Sequence, residues 1–212
     1  MITTQTVHDP GGAANRALVR CDWPGLADPV YAAYHDREWG VPKTDDIALF
    51  EKLVLETFQS GLSWLTILKK REAFRIAFDG FDPEKIARYR SDKIAQLIIN
   101  REIVRNQAKI AATVQNARAY LEISKHQPFA KFIWQFAPAP GLAPAAASRA
   151  DVPTETPGSR ALSAALKAAG FRFLGPTTAY AFMQSVGMVN DHLASCHRHA
   201  VCASLQSSLV RP

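Results

Sequence analysis

Asp28-Pro29-Val30-Tyr31-Ala32-Ala33-Tyr34-His35-Asp36-Arg37-Glu38-Trp39 reads as one short helix with its chemistry gathered on one side. Asp28 can accept from the first free amides of a helix, and Pro29 has no N–H to leave unpaired at the first helical position. Tyr31, Tyr34 and His35 fall three and four residues apart, so they share a face. Trp23 and Trp39 flank that face. The stretch therefore predicts a helix carrying an aromatic surface with one imidazole in it.

Moving outward, the same signals recur along the chain. Asp45 or Asp46 caps a run in which Ile47, Leu49, Phe50, Leu53, Val54 and Phe58 follow a 3.6-residue period, and Gly61 stops it. Ser63 caps a third helix, about Trp64 to Phe78. Asp82-Pro83 and Ser91-Asp92 mark two further starts. A long segment follows from Asn106 to Ser124, then a short aromatic helix from Pro128 to Phe136. Residues Ala137 to Ser159 turn to Pro, Ala, Gly, Ser and Thr, which reads as a connecting loop. Two helices are expected after it, about Arg160 to Ala169 and Pro176 to Val186, with a last short one from near Asn190. No convincing two-residue alternation occurs, so the fold class is all-α. At 212 residues the chain suffices for one substantial core. We expect a tail over 1–19, a helical domain over 20–200 and a second tail over 201–212.

Composition narrows the partners. No apolar run is long enough for a bilayer, and Met1 to Arg20 lacks the apolar centre of a signal peptide, so a cytoplasmic protein without membrane contact is expected. Three cysteines do not make a disulfide framework; metal binding or burial is the better expectation. From Lys69 to Lys131 there are 14 Lys and Arg against 7 Asp and Glu, leaving the remainder of the chain at −1 out of a total of +6. That concentration suits a polyanion, although a solvated helical face has the same composition.

Three constellations carry possible chemistry. His192 and Cys196 are four apart and would share one side of a helix, and Cys21 with His35 would complete two thiolates and two imidazoles. By spacing alone Cys202, His197 and His199 compete as ligands. Glu56 borders the apolar stripe of its own helix, with Trp64 just after the following turn; an acid among aromatic rings suits a flat cation, or is simply half exposed beside core aromatics. Asn100 to Ile110 is a turn between two helices, where free amides with Arg105 and Lys109 would seat a phosphate.

Arg20-Cys-Asp-Trp23, Asp28 to Pro42 with its Tyr-His-Asp-x-Glu-Trp-Gly string, Leu55-Glu56, Gln59-Ser-Gly-Leu-Ser-Trp64, Gly170-Phe-Arg-Phe173 and Gly187-Met-Val-Asn-Asp-His192 together resemble the 3-methyladenine DNA glycosylase I family. The resemblance covers about Arg20 to Cys196. It implies a helix-hairpin-helix glycosylase fold whose N- and C-terminal segments are joined by structural zinc on Cys21, His35, His192 and Cys196. It further implies a monofunctional enzyme that excises 3-methyladenine from double-stranded DNA and binds the free base as product. Glu56 would contact the excised base, Tyr34 and Trp64 would hold it, and Trp23, Tyr31 and Trp39 would line or support the pocket. Gly61 and Leu62 would fill the gap left in the duplex, and the hairpin with Arg105 and Lys109 would grip the backbone. Nothing in the sequence demands more than a monomer. Glu102 stands where family hairpins often place Gly, and Thr57-Phe58 stands where some relatives have Gly and Gln, which predicts a more apolar pocket floor than theirs. The rival readings are a zinc-stapled DNA-binding protein without activity and a small-molecule-binding helical protein.

Overall fold

The computed structural model describes residues 18–141 and 144–212. Among them every regular element is helical. The order is α1 (Pro29–Arg37), α2 (Asp46–Gln59), α3 (Trp64–Ala77), α4 (Pro83–Ala87), α5 (Ser91–Ile99), α6 (Gln107–Ser124), α7 (Phe129–Trp134), α8 (Pro157–Ala168), α9 (Pro176–Ser185) and α10 (His199–Ser208), with 3-10 turns at Asp79–Phe81 and Arg149–Asp151. The expected tail over 1–19 lies outside the described residues but for Leu18 and Val19.

Local chemistry explains most starts. Asp28 accepts from the Val30 amide, Asp45 from Ala48, Ser63 from Thr66 and Asn106 from Lys109. Each bond satisfies a donor that the first helical turn cannot. Helix α2 is the axis of the fold: Leu49, Phe50, Leu53, Val54, Leu55 and Phe58 are fully enclosed against α3, α6, α7 and α9. A helix buried nearly all round needs apolar residues nearly all round. Ile47, expected in that stripe, is instead on the rim at 39% exposure. Deleting the Leu53 side chain would cost about 2–5 kcal/mol by leaving a cavity where the surrounding helices cannot close. Helices α5 and α6, joined by Asn100–Asn106, form the expected helix-hairpin-helix.

The structure corrects three expectations. Helix α8 starts at Pro157, not Arg160, because Thr156 and Ser159 exchange side-chain to backbone hydrogen bonds at 3.1 and 2.9 Å and Pro157 takes the first helical position. No helix spans Asn190 to Arg198. Its amides go elsewhere: His192 N–H donates to Asn190 Oδ1, Leu193 N–H to Cys21 Sγ and Arg198 N–H to Cys196 Sγ. Finally, the 201–212 segment is largely helical, since α10 runs to Ser208 and buries Cys202 completely.

A second, smaller cluster of Cys21, Tyr34, Trp39, Leu68, Leu193 and Cys196 joins the two ends of the chain. The junction is tight. Gly40 N–H donates to Gln184 O, and Lys43 N–H to Val186 O. Gly187, at φ +73°, packs so closely that a Cβ would come within 2.5 Å of Pro42 N. Only glycine supplies both that conformation and that space.

Candidate active site and metal centre

The four cysteine and histidine residues of the sequence reading converge. Cys21, His35, His192 and Cys196 are buried, and their ligand atoms all lie within 4.8 Å of one another. His192 Nδ1 is 3.6 Å from Cys21 Sγ and 3.5 Å from Cys196 Sγ, while His35 Nε2 is 3.6 Å from Cys196 Sγ. A tetrahedral ion with zinc–sulfur and zinc–nitrogen bonds of about 2.3 and 2.0 Å would set sulfur and nitrogen about 3.5 Å apart. The group can hold a metal ion.

Both imidazoles present the correct nitrogen. His192 Nε2 is 3.0 Å from Trp39 O, a carbonyl that can only accept, so the proton sits on Nε2 and Nδ1 keeps its lone pair. His35 Nδ1 likewise donates to Asp36 Oδ1 at 2.8 Å, so Nε2 keeps its lone pair, which the Cys21 N–H also approaches at 3.4 Å, and Arg20 holds the Asp36 carboxylate at 2.7 Å. Burial keeps both rings neutral, pulling His192 down to about 4. Burial also pushes the Cys21 thiol up to about 12, with the Leu193 amide opposing, so a cation among the four is what would hold it as thiolate. The rival ligands are placed elsewhere: His197 bonds Val19 O and faces Asp36, the His199 carbonyl accepts from Asn190, and Cys202 packs under Arg198 and Trp39.

Beside this centre opens a cavity of about 320 Å³ lined by Trp23, Tyr31, Tyr34, Trp39, Glu56, Gln59, Trp64 and Leu193, among others. Every aromatic residue named from the sequence is in its wall. Trp23 stands edge-on to Trp39 at 4.6 Å and tilted to Tyr31 at 5.3 Å. Tyr34 and Trp64 lie 5.5 Å apart at 47°, so they make a corner whose two faces can receive a planar group. The Trp64 Nε1–H is buried without an acceptor among the described residues.

Glu56 projects from α2 into this cavity at 4% exposure. Burial raises its carboxyl above the ordinary range, while Lys52 and the Ser185 hydroxyl nearby oppose that shift. The expected apolar floor is absent. Phe58 points into the main core against Phe74 at 4.7 Å, and Thr57 donates to Leu53 O; Gln59 lines the cavity in their stead.

Sequence reasoning missed four contributors. Asp191 lines the cavity with one oxygen fixed by Tyr180 Oη and Gln184 Nε2, each at 2.7 Å. Arg149 and Val152 reach the wall from the stretch read as a plain connector. The Ser148-to-Asp151 capping pair that shapes this turn was the available signal. Lys52, one turn before Glu56, is buried with its ammonium 2.8 Å from Tyr34 Oη.

The expected DNA contacts divide. Gly61, at φ +84°, forms the tip after α2, and Leu62 stands out at 41% exposure with its backbone held by Gln59. Arg105 is exposed on the hairpin. Lys109 does not face solvent: it is buried, and its ammonium donates to Phe58 O at 3.0 Å and Ser60 O at 2.7 Å, capping the free carbonyls at the end of α2. Lys70 does the same for the hairpin, donating to Arg101 O and Glu102 O. The Glu102 side chain is exposed, and its amide donates to Asn100 Oδ1 at 2.9 Å.

An all-helical frame that sets an acid-floored aromatic cavity beside a hairpin is the architecture of a helix-hairpin-helix glycosylase. Residues 23–199 match the model of the methyladenine glycosylase family, and the chain belongs to that family. It is 47% identical over 180 residues to DNA-3-methyladenine glycosylase 1 of Escherichia coli (strain K12), covering 84% of this chain and 96% of that protein. It is 48% identical over 178 residues to DNA-3-methyladenine glycosylase of Haemophilus influenzae, with the same shares covered. A solved 3-methyladenine DNA glycosylase I superposes with a TM-score of 0.82 at 48% identity over 85% of this chain and 100% of that one. The Staphylococcus aureus enzyme, whose structure addresses 3-methyladenine recognition, superposes at 0.76 with 40% identity over 81% and 92%.

Proposed function

We propose that this protein is a monofunctional DNA-3-methyladenine glycosylase of base-excision repair. The observation that carries the reading is Glu56, a buried carboxylate inside a cavity walled by Trp23, Tyr31, Tyr34, Trp39 and Trp64. A base inside a stacked duplex is out of reach, so the lesion nucleotide is flipped into the cavity. There the 3-methylated base, cationic while joined to deoxyribose, stacks in the Tyr34–Trp64 corner. Glu56 reads its amino edge and favours the cation over neutral adenine. The glycosidic bond is already weakened by that charge, it breaks toward an oxocarbenium-like sugar, and water completes the hydrolysis.

Leu62 on its tight turn is the wedge for the vacated stack, and Arg105 on the hairpin contacts the backbone. Arg149, exposed at the cavity wall with no ion-pair partner among the described residues, is a further phosphate contact. Lys109 is withdrawn from that role. The metal is taken to be zinc in a structural site, since four protein ligands leave no open position. The protein is read as a cytoplasmic monomer; no described helix is long and apolar enough to cross a membrane.

The test is direct. Incubated with alkylated duplex DNA, the protein should release free 3-methyladenine and leave the strand uncut, and E56Q should lose most of that release. Binding to the DNA without any released base would make this a non-catalytic DNA-binding protein instead.

A further inference from the structure

Lys52 takes no part in the mechanism above, yet it is the most enclosed ammonium near the cavity, with its side chain 8% exposed. Four groups surround its nitrogen: Tyr34 Oη at 2.8 Å, the Trp64 ring at 3.8 Å, the Tyr34 ring at 4.5 Å and Glu56 Oε1 at 3.9 Å. These are the two rings and the carboxylate assigned to the base. Lys52 itself does not line that cavity. It opens on a separate one of about 70 Å³, beside Glu38, Lys43, Glu51, Arg71 and Arg75.

The other carboxylates there are already occupied. Arg71 holds Glu38 at 2.6 Å, and Arg75 holds Glu51 at 2.8 Å. Glu56 is therefore the one acid in reach of Lys52 that has no arginine. A buried carboxylate with no cation beside it takes up a proton, and a carboxylic acid has no charge with which to select a cationic base. A buried ammonium is costly too, and the Tyr34 oxygen with two ring faces offsets part of that cost.

We propose that Lys52 is a positioning residue of the base pocket, which fixes the Tyr34 ring through its hydroxyl and keeps Glu56 ionised for a cationic base. This rests on the reading of Glu56 given above. The direction of both ionisations agrees: burial lowers the Lys52 ammonium, with Glu56 and Glu38 opposing and Lys43 and Arg71 adding, and burial raises Glu56 while Lys52 opposes. The Tyr31 and Tyr34 hydroxyls, both held above the ordinary phenol range by burial, stay neutral and leave this balance to Lys52 and Glu56. Because Lys52 lies outside the cavity lining and is committed to Tyr34, it is not placed to attack the sugar.

The sign is fixed. Removing the ammonium raises the Glu56 carboxyl further, so activity is lost at a higher pH on acidification. K52M, close in length and uncharged, should move the acid limb of kcat/KM for 3-methyladenine release upward by about one unit or more, a tenfold loss on that limb. K52R should restore the wild-type profile. K52Q, which keeps a donor for Tyr34 without the charge, should follow K52M, and this pair decides the matter if K52M does not fold. A second readout is independent of activity: the Glu56 carboxyl resonance, assigned through E56Q, should titrate at higher pH in K52M or K52Q than in wild type. Superimposable titrations and profiles would overturn the proposal. Loss of 3-methyladenine release in wild type, with the Glu56 titration still shifted by K52Q, would instead overturn the glycosylase reading and leave the ion pair standing.

Discussion

The Lys109 ammonium on α6 donates to the Ser60 carbonyl at 2.7 Å, so the helix after the hairpin holds the turn that ends α2. That turn carries Gly61 and Leu62. A cation beside the hairpin thus acts within the protein, and its replacement has a different signature from that of a surface cation. K109M should lower stability by about 1–3 kcal/mol, the cost of leaving the buried Phe58 carbonyl and the partly buried Ser60 carbonyl without their donor. Its DNA affinity should keep the wild-type salt slope. R105A should show the opposite pattern: unchanged melting, with the slope of log affinity against log salt smaller by about one. Thermal unfolding and DNA binding at several salt concentrations separate the two variants.

The metal centre makes its own prediction. If the site holds zinc as proposed, C196S should lose it and melt at lower temperature, both together, because one ion on these four ligands would tie segments far apart in sequence. D36N keeps all four ligands but replaces the carboxylate that orients and polarises His35 with a neutral amide, and should weaken zinc affinity about 10–100-fold. Acidification should release the ion, since histidine protonation competes with it and thiolates become thiols. Chelator competition and metal analysis read both effects; full occupancy in C196S would remove Cys196 from the ligand set.

How much of this was legible beforehand depended on distance along the chain. Caps such as Asp28, Asp45 and Ser63 act within four residues, so they could be read directly. Thr156 and Ser159 are equally local, but lie in a Pro- and Gly-rich setting that reads as loop. His192 and Cys196 do meet, although across a series of turns and not one helical face, because sulfur and the Asn190 side chain take the amides a helix would need. Lys109, Lys52, Asp191 and Arg149 were not legible in their roles. Whether a lysine points to solvent or caps another helix is decided by packing between elements, and no local pattern records that. The family resemblance supplied the pocket aromatics and Glu56, but it had nothing to say of Lys52.

Glu56 should separate recognition from stability. E56Q keeps the shape and a hydrogen-bonding amide while removing the charge. Losing a charged hydrogen bond of about 1.5–3 kcal/mol should weaken binding of free 3-methyladenine roughly 10–100-fold. Excision should fall at least as far, since the lesion in DNA is a cation. Equal affinity for the free base and equal excision in E56Q would make Glu56 a bystander in the wall.

Arg149 offers the sharpest division between grip and pocket. It sits at the cavity wall on a 3-10 turn fixed by the Ser148–Asp151 pair, exposed and without an ion pair among the described residues. An arginine so placed meets the phosphate beside a flipped nucleotide before it meets the base. R149A should therefore raise KM for alkylated DNA, with a salt slope smaller by about one, and leave free 3-methyladenine binding unchanged. Weakened binding of the free base instead would put the guanidinium inside the pocket, over Tyr31, whose hydroxyl it already favours in ionised form against a larger opposing effect of burial. R149K should recover most of the DNA affinity if the contact is a point charge, and less of it if the phosphate is held by two parallel hydrogen bonds.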